Sequence, residues 1–246
     1  MISREIVGSK HLIAFTGAGA STESGVPDYR SKGGIWDKFQ PIYIDEFMSS
    51  RDARVKYWKR KAELYPALID AQPNAAHNGL AELYELGFLK AIITQNIDGL
   101  HRDAGTSPGL LVEIHGTTRE VECQSCLERS DPGPHRERFA ETGEPPVCNC
   151  GGYIKSATIS FGQQLRQADV ARAFDAAKRA DLAISLGSTL SVTPAADIPI
   201  EAAMAGARYA IVNQGDTEHD GLGLVTLRVE GEVGEVFAPA VETALK

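Results

Sequence analysis

Thr94-Gln95-Asn96-Ile97-Asp98-Gly99-Leu100-His101 is the stretch on which the reading of this chain turns. It follows Phe88-Leu89-Lys90-Ala91-Ile92-Ile93, an apolar run with the length and composition of a buried strand. Five side chains able to bond a ligand (Thr94, Gln95, Asn96, Asp98 and His101) therefore crowd the carboxyl end of a strand. Open α/β sheets bind their ligands at that end. A capped strand-to-helix loop needs one polar residue and at most a glycine. Gln95, Asn96 and Asp98 together exceed that requirement.

Outward from this point, short apolar runs alternate with helical stretches, which predicts βαβ units and a parallel sheet. His11 to Thr16 reads as the first strand and Leu110 to Ile114 as another, ending at His115-Gly116. Leu182 to Leu186 and Tyr209 to Val212 read as late strands. Helices are expected over Asp52 to Ile69, Asn74 to Leu86 (stopped by Gly87), Arg166 to Arg179 and Glu232 to Leu245. The rhythm breaks between Thr117 and Ile154, where Pro132, Pro134, Pro145, Pro146 and all four cysteines occur. That segment reads as a small inserted module.

The cysteines form two close pairs, Cys123-x-x-Cys126 and Cys148-x-Cys150-Gly151-Gly152. With no histidine in either pair, four thiolates suit one closed, tetrahedral Zn²⁺ at about 2.3 Å per bond, a structural ion and not a catalytic one. The glycines allow the tight turn that aims two sulfurs at one ion. Reduced free thiols or a redox pair are the alternatives.

Composition bounds the rest. The 246 residues are 43% hydrophobic and 24% charged, ordinary for a soluble globular chain. No apolar run approaches the ~18 residues of a membrane span. Met1 to Lys10 lacks the apolar core of a secretory signal, so a cytoplasmic protein is expected. A net charge of −8 argues against a nucleic-acid binder and suits a basic, lysine-rich partner. No long coiled-coil pattern is present, and a monomer is the default.

After the first strand comes Thr16-Gly17-Ala18-Gly19-Ala20-Ser21-Thr22, whose Gly17-x-Gly19 can bring bare amides close to a pyrophosphate. The dinucleotide fingerprint is incomplete, because Thr22 stands at its third glycine. Ser21 or Thr22 can equally cap a following helix. Gly25-Val26-Pro27-Asp28-Tyr29-Arg30 then sets a ring and a guanidinium in one short loop, Arg30 suited to phosphate and Tyr29 to a flat ring.

Together these segments resemble the sirtuins, NAD-dependent protein-lysine deacylases. The matching pieces are Gly17 to Ser21, Gly25 to Arg30, Thr94 to His101, His115-Gly116 and the cysteine pairs. They continue with Ile159-Ser160-Phe161-Gly162, Gly187-Ser188-Thr189-Leu190-Ser191-Val192-Thr193-Pro194-Ala195 and Ile211-Val212-Asn213, over about residues 9 to 237. The resemblance implies a Rossmann-like NAD-binding domain (1–116 and 158–246) with an inserted zinc-binding module (117–157). It implies NAD and one structural Zn²⁺ as cofactors and an acyl-lysine protein or peptide as partner. The implied reaction cleaves nicotinamide from NAD⁺ and moves the acyl group to ADP-ribose.

The resemblance also assigns roles. His115 is the general base, Asn96 orients the ribose and a water, and Asp98 binds the nicotinamide carboxamide. Gln95 contacts ribose and Ile97 packs on nicotinamide. Tyr29 and Arg30 close over the phosphate–ribose region. Amides around Ala18 and Gly19 face the pyrophosphate, with Gly17 and Ser21 beside them. Gly187 and Ser188 form the second glycine-bearing strand end, Asn213 bonds the adenosine ribose, and Val233 lies against adenine. Ile159 and Phe161 line the acyl-lysine tunnel, while Gly162 and Val192 pair the peptide as an added strand. His101 is read as structural. Tyr57-x-x-Arg60 matches the pair that holds a succinyl or malonyl carboxylate in some sirtuins, yet it also fits a plain basic helix face. A sirtuin-type mono-ADP-ribosyltransferase is the competing activity. Tyr29 for Phe, Ala20 for Ile, Gln163 for Glu and the short second cysteine pair are departures from the family pattern.

Overall fold

The computed structural model describes residues 1–28 and 34–246, without the side chains of Trp36 and Asp37. Tyr29 and Arg30 lie outside the described residues. The strands are β1 (Leu12–Thr16), β2 (Leu89–Thr94), β3 (Leu111–Glu113), β4 (Gly116–Cys123), β5 (Arg129–Ser130), β6 (Ile154–Thr158), β7 (Leu182–Leu186), β8 (Arg208–Asn213) and β9 (Leu227–Glu230). The helices are α1 (Ile2–Val7), α2 (Ile35–Lys38), α3 (Ile44–Ser49), α4 (Arg51–Asp70), α5 (Ala75–Glu85), α6 (Leu100–Asp103), α7 (Pro132–Thr142), α8 (Gln167–Arg179), α9 (Asp197–Met204) and α10 (Val233–Ala244).

Six strands form a parallel sheet in the order β3-β2-β1-β7-β8-β9. This is the doubly wound Rossmann order, which reverses direction between β1 and β7. Its central strands β1 and β7 are buried along their whole length because helices cover both faces. Alternate residues take opposite sides. Leu12, Ala14, Ile92, Ile184 and Val212 pack under Leu80, Phe237 and Val241 of α5 and α10. Ile13, Phe15, Ile93, Tyr209 and Ile211 face Ala173, Ala177, Ile198 and Ala202 of α8 and α9. The reversal opens a crevice at the strands' carboxyl ends, where the Thr94–His101 segment emerges.

The cysteine-bearing segment forms a separate antiparallel sheet, β5-β4-β6. Its core holds Val121, Cys123, Phe139 and Ile154, and it also holds Trp58 of α4. The Trp58 indole donates to the Ile154 carbonyl at 3.1 Å. Helix α4 thus packs on the small sheet, although α5, β2, α6 and β3 of the Rossmann scaffold all intervene between them in sequence order. At the junction, Gly116 has φ +76°, and a Cβ there would stand 2.1 Å from the Ala157 carbonyl oxygen. Only glycine permits this close turn directly after His115.

Candidate active site and metal centre

A continuous cavity of about 1290 Å³ runs along the carboxyl ends of β1, β2, β7 and β8 to the edge of the small sheet. Gly17, Ala18, Gly19, Ser21, Gln95, Asn96, Ile97, Asp98, His115, Gly187, Ser188, Asn213 and Val233 all line it. So do Tyr57, Arg60, Ile159, Phe161, Gly162 and Val192. Every described residue assigned to cofactor or substrate from the sequence therefore meets in one cleft.

His115 stands just after β3. Its Nδ1 lies 3.1 Å from the Gln95 carbonyl oxygen. A carbonyl only accepts, so Nδ1 carries the hydrogen and Nε2 keeps its lone pair. Burial lowers the imidazole pKa, against an upward pull from the Gln95 bond. The ring is therefore a neutral base at pH 7.

Asn96 and Asp98 are almost fully enclosed, and their partners fix them from behind. Asn96 donates through Nδ2 to the Gly17 carbonyl and to Ser21 Oγ, both at 3.0 Å. Asp98 accepts from Ser21 Oγ at 2.8 Å and from the Leu100 N–H at 2.9 Å. Ser21 also faces His77 Nε2 at 3.5 Å. It is 1% exposed. The cofactor-binding role read for Ser21 is therefore indirect: its hydroxyl is committed to Asn96 and Asp98.

Gly17 and Gly19 likewise serve the protein first. Gly17 N–H donates to the Leu186 carbonyl at 3.0 Å, and Gly19 N–H to the Gly187 carbonyl at 2.8 Å. A Cβ on Gly17 would lie 2.6 Å from the Gly187 oxygen, and one on Gly187 would lie 2.4 Å from Ala20 N. The three glycines seam the β1 loop to the end of β7. Of the amides expected to face a pyrophosphate, that of Ala18 has no partner among the described residues.

Around this centre sits a buried polar layer built from Thr16, Thr94 and His101. His101 Nε2 lies 2.9 Å from Thr16 Oγ1, whose hydroxyl donates to Thr94 Oγ1 at 2.8 Å. Thr94 Oγ1 in turn accepts the Asn96 N–H at 3.0 Å. Burial drives the His101 pKa down to about 3, so the ring is neutral and structural, as expected. His77 closes a capping box with Asn74 at the start of α5. The Asn74-x-x-His77 spacing was the available signal, with His replacing the usual Glu or Gln. The loop itself is braced from the small sheet: Thr118 donates twice to the Ile97 carbonyl, and Arg119 Nε donates to the Asp98 carbonyl.

Toward the small sheet, Ile159 N–H donates to the His115 carbonyl at 2.8 Å, which sets the Ile159–Gly162 edge beside the base. Gln95 Nε2 donates to Ser188 Oγ at 2.8 Å, linking the ends of β2 and β7. Asn213 Nδ2 donates to the carbonyls of Gln214 and Gly215, which leaves its Oδ1 as the acceptor a ribose hydroxyl could use. Tyr57 OH accepts the Ser156 N–H at 3.2 Å, and Arg60 donates to the Gln40 carbonyl.

The four cysteine sulfurs lie within 4.8 Å of one another. Cys123 and Cys150 are 3.5 Å apart, and Cys126 and Cys148 are 3.7 Å apart. A tetrahedron of ~2.3 Å Zn–S bonds has edges of about 3.8 Å. The set fits one Zn²⁺, short second pair included. Gly152 is required there, since a Cβ would stand 2.5 Å from Cys123 Sγ.

The sheet order, the crevice at its reversal and the Cys₄ module define a Rossmann-like nucleotide-binding protein with a structural metal module. The chain belongs to the Sir2 family, whose model matches residues 17–194. It is 41% identical over 237 residues to an NAD-dependent protein deacetylase of Rhodopseudomonas palustris, covering 96% of this chain and 93% of that one. It is 38% identical over 236 residues to NAD-dependent protein deacylase 2 of Archaeoglobus fulgidus, covering 95% and 91%. A solved Sir2 histidine-to-alanine variant with deacetylated p53 peptide and 3′-O-acetyl-ADP-ribose superposes with a TM-score of 0.89 at 33% identity, covering 98% and 96%.

Proposed function

We propose that this protein removes acyl groups, acetyl foremost, from protein lysines in an NAD⁺-dependent reaction that yields nicotinamide and O-acyl-ADP-ribose. The observation that carries this reading is His115. It is a neutral base whose Nε2 has no partner among the described residues, in a cleft lined also by Asn96, Asp98 and the Ile159–Gly162 edge. The relatives named NAD-dependent deacetylases and deacylases support it.

NAD⁺, when bound, supplies an electrophilic ribose carbon with neutral nicotinamide as its leaving group. Everything else falls to the chain. Asp98 would hold the nicotinamide carboxamide and Asn96 the ribose, each fixed from behind by Ser21. Ala18, Gly187, Ser188, Asn213 and Val233 would hold the pyrophosphate and adenosine. Gly162 and Val192 would pair the peptide, and Ile159 and Phe161 would enclose the acyl-lysine. His115 Nε2 would take the proton of a ribose hydroxyl, turning it into a nucleophile toward the acyl carbon. Holding both reactants in one enclosed cleft supplies proximity and excludes competing water.

The Tyr57–Arg60 pair lines the same cleft, but Arg60 already has the Gln40 carbonyl and stacks over the Phe39 ring at 5.3 Å. The relatives named deacetylases favour a neutral acetyl group over a carboxylate-bearing one. Mass spectrometry of NAD⁺ reactions with acetyl-, succinyl- and longer-acyl-lysine peptides tests the reading. Acetyl transfer that is lost in His115→Ala is expected. Succinyl removal alone, abolished by Arg60→Met, would transfer the assignment to acidic acyl groups.

A further inference from the structure

We infer that Glu23 is a positioning residue for the adenosine half of the cofactor, an inference that rests on the NAD reading above. Helix α10 begins at Val233 with Glu232 as its N-cap, and the Glu232 side chain makes no capping bond. The first-turn N–H groups of a helix require acceptors from elsewhere. The Gly234 N–H finds one in Glu23 Oε1 at 2.9 Å, across 211 residues of sequence. The carboxylate also meets the positive end of the helix dipole. The fit leaves no room for a side chain, because a Cβ on Gly234 would lie 1.9 Å from Glu23 Oε2.

The two ends of this bond belong to two segments, far apart in sequence, that both border the cleft. Glu23 sits in the Thr22–Ser24 turn, directly after the Ala18–Ala20 turn. Thr22 Oγ1 donates back to the Gly19 carbonyl at 3.1 Å, which pins the two turns together. Gly17, Ala18, Gly19 and Thr22 of the first segment line the cavity, as do Gly231, Glu232 and Val233 of the second. A local cap would fix only where the helix starts. A cap delivered from the glycine-loop segment also fixes how far the helix stands from that loop. Ala20 and Val233 share one buried cluster just beneath, so the bond closes a rigid bracket around the adenosine end. Glu23 does not line the cavity and acts through this bracket.

Calorimetric binding of ADP-ribose, which carries the adenosine and pyrophosphate and needs no turnover, tests the inference. Glu23→Ala should raise the ADP-ribose Kd about five- to twentyfold, consistent with loss of a helix cap. Glu23→Ser, too short to reach Gly234, should repeat that loss, while Glu23→Gln, which keeps the acceptor, should stay within threefold of wild type. In turnover, KM for NAD⁺ should rise, with kcat and peptide KM within twofold. Val241→Ala, at the far end of α10, should lower Tm at least as much and leave the ADP-ribose Kd unchanged. ADP-ribose binding within twofold of wild type in Glu23→Ala, or an equal loss in Val241→Ala, overturns the positioning role while leaving the cofactor reading intact. A wild-type protein that binds no ADP-ribose overturns the cofactor reading and this inference together.

Discussion

Replacing Ser21 by alanine removes a single oxygen and should nearly silence the site. That oxygen donates to Asp98 at 2.8 Å and accepts from Asn96 at 3.0 Å, and its 3.5 Å approach to His77 is too long to count for much. A buried hydrogen bond to a charged group contributes about 1.5–3 kcal/mol, and a neutral one about 0.5–1.5 kcal/mol. Asp98 keeps the Leu100 N–H and Asn96 keeps the Gly17 carbonyl, so neither is left without partners. The loss is then about 2–4 kcal/mol, divided between folding and the transition state. Expressed wholly in stability, it lowers Tm by about 4–8 °C for a chain of this size. Expressed wholly in catalysis, it lowers kcat/KM roughly 30- to 1000-fold. Thermal melts combined with nicotinamide release at 25 °C separate the two. We expect a folded variant with a modest Tm loss, a drop of about tenfold or more in kcat/KM and an unaltered peptide KM. A Ser21→Ala enzyme that melts within 1 °C of wild type and turns over within threefold of it would refute the positioning argument.

Other outcomes follow from the same geometry. Because burial lowers the His115 pKa, the acid limb of kcat should fall below pH 6.5, with a plateau through pH 8; an inflection above pH 7 would contradict a buried neutral base. His101 is held near a pKa of about 3 in the fold against 6.5 unfolded, so its stabilisation is complete above pH 6.5 and declines as pH falls. By pH 5 it has given up about 2 kcal/mol, roughly 4 °C of Tm, a loss that His101→Gln should not show in paired melts. Removing zinc with a chelator should lower Tm by more than 10 °C and red-shift emission from Trp58, which packs against Cys123 in the module core; an unchanged melt after loss of one equivalent of zinc would count against a structural ion. Gly187→Ala should abolish ADP-ribose binding, since the added carbon meets Ala20 N at 2.4 Å, whereas Gly25→Ala, with nothing within 4 Å, should show only the ~1 kcal/mol strain of its φ of +81° in a melt.

Much of the fold could be read directly from sequence because its signals are local. The strand before Thr94 is a continuous apolar run, Gly87 stops α5 with φ +79°, and the cysteine pairs carry their own spacing. Local signals also placed His115, Asn96 and Asp98 at strand ends, and the β2–β3 register then brought those ends together. What escaped was long-range. Helix α4 carries no pattern that says which sheet it covers; Trp58 settles that only through the Ile154 carbonyl 96 residues away. Gly17 and Gly19 looked like ligand-facing glycines, since a bare amide reads the same whether it meets a phosphate or the Leu186 carbonyl. Ser21 looked like a cap or a cofactor contact because its partners, Asp98 and Asn96, come from the next strand of the sheet. Tyr29 and Arg30, expected over the phosphate–ribose region, lie outside the described residues.

On the proposed reading, NAD⁺ cleavage and acyl transfer are one coupled event in this cleft. The product ratio for an acetyl-lysine peptide incubated with NAD⁺ examines this coupling. One nicotinamide and one O-acetyl-ADP-ribose are expected for each lysine freed, with all three lost in His115→Ala. Nicotinamide released with the acetyl-lysine intact and ADP-ribose attached to protein would contradict that reading and assign the chain to ADP-ribosyl transfer.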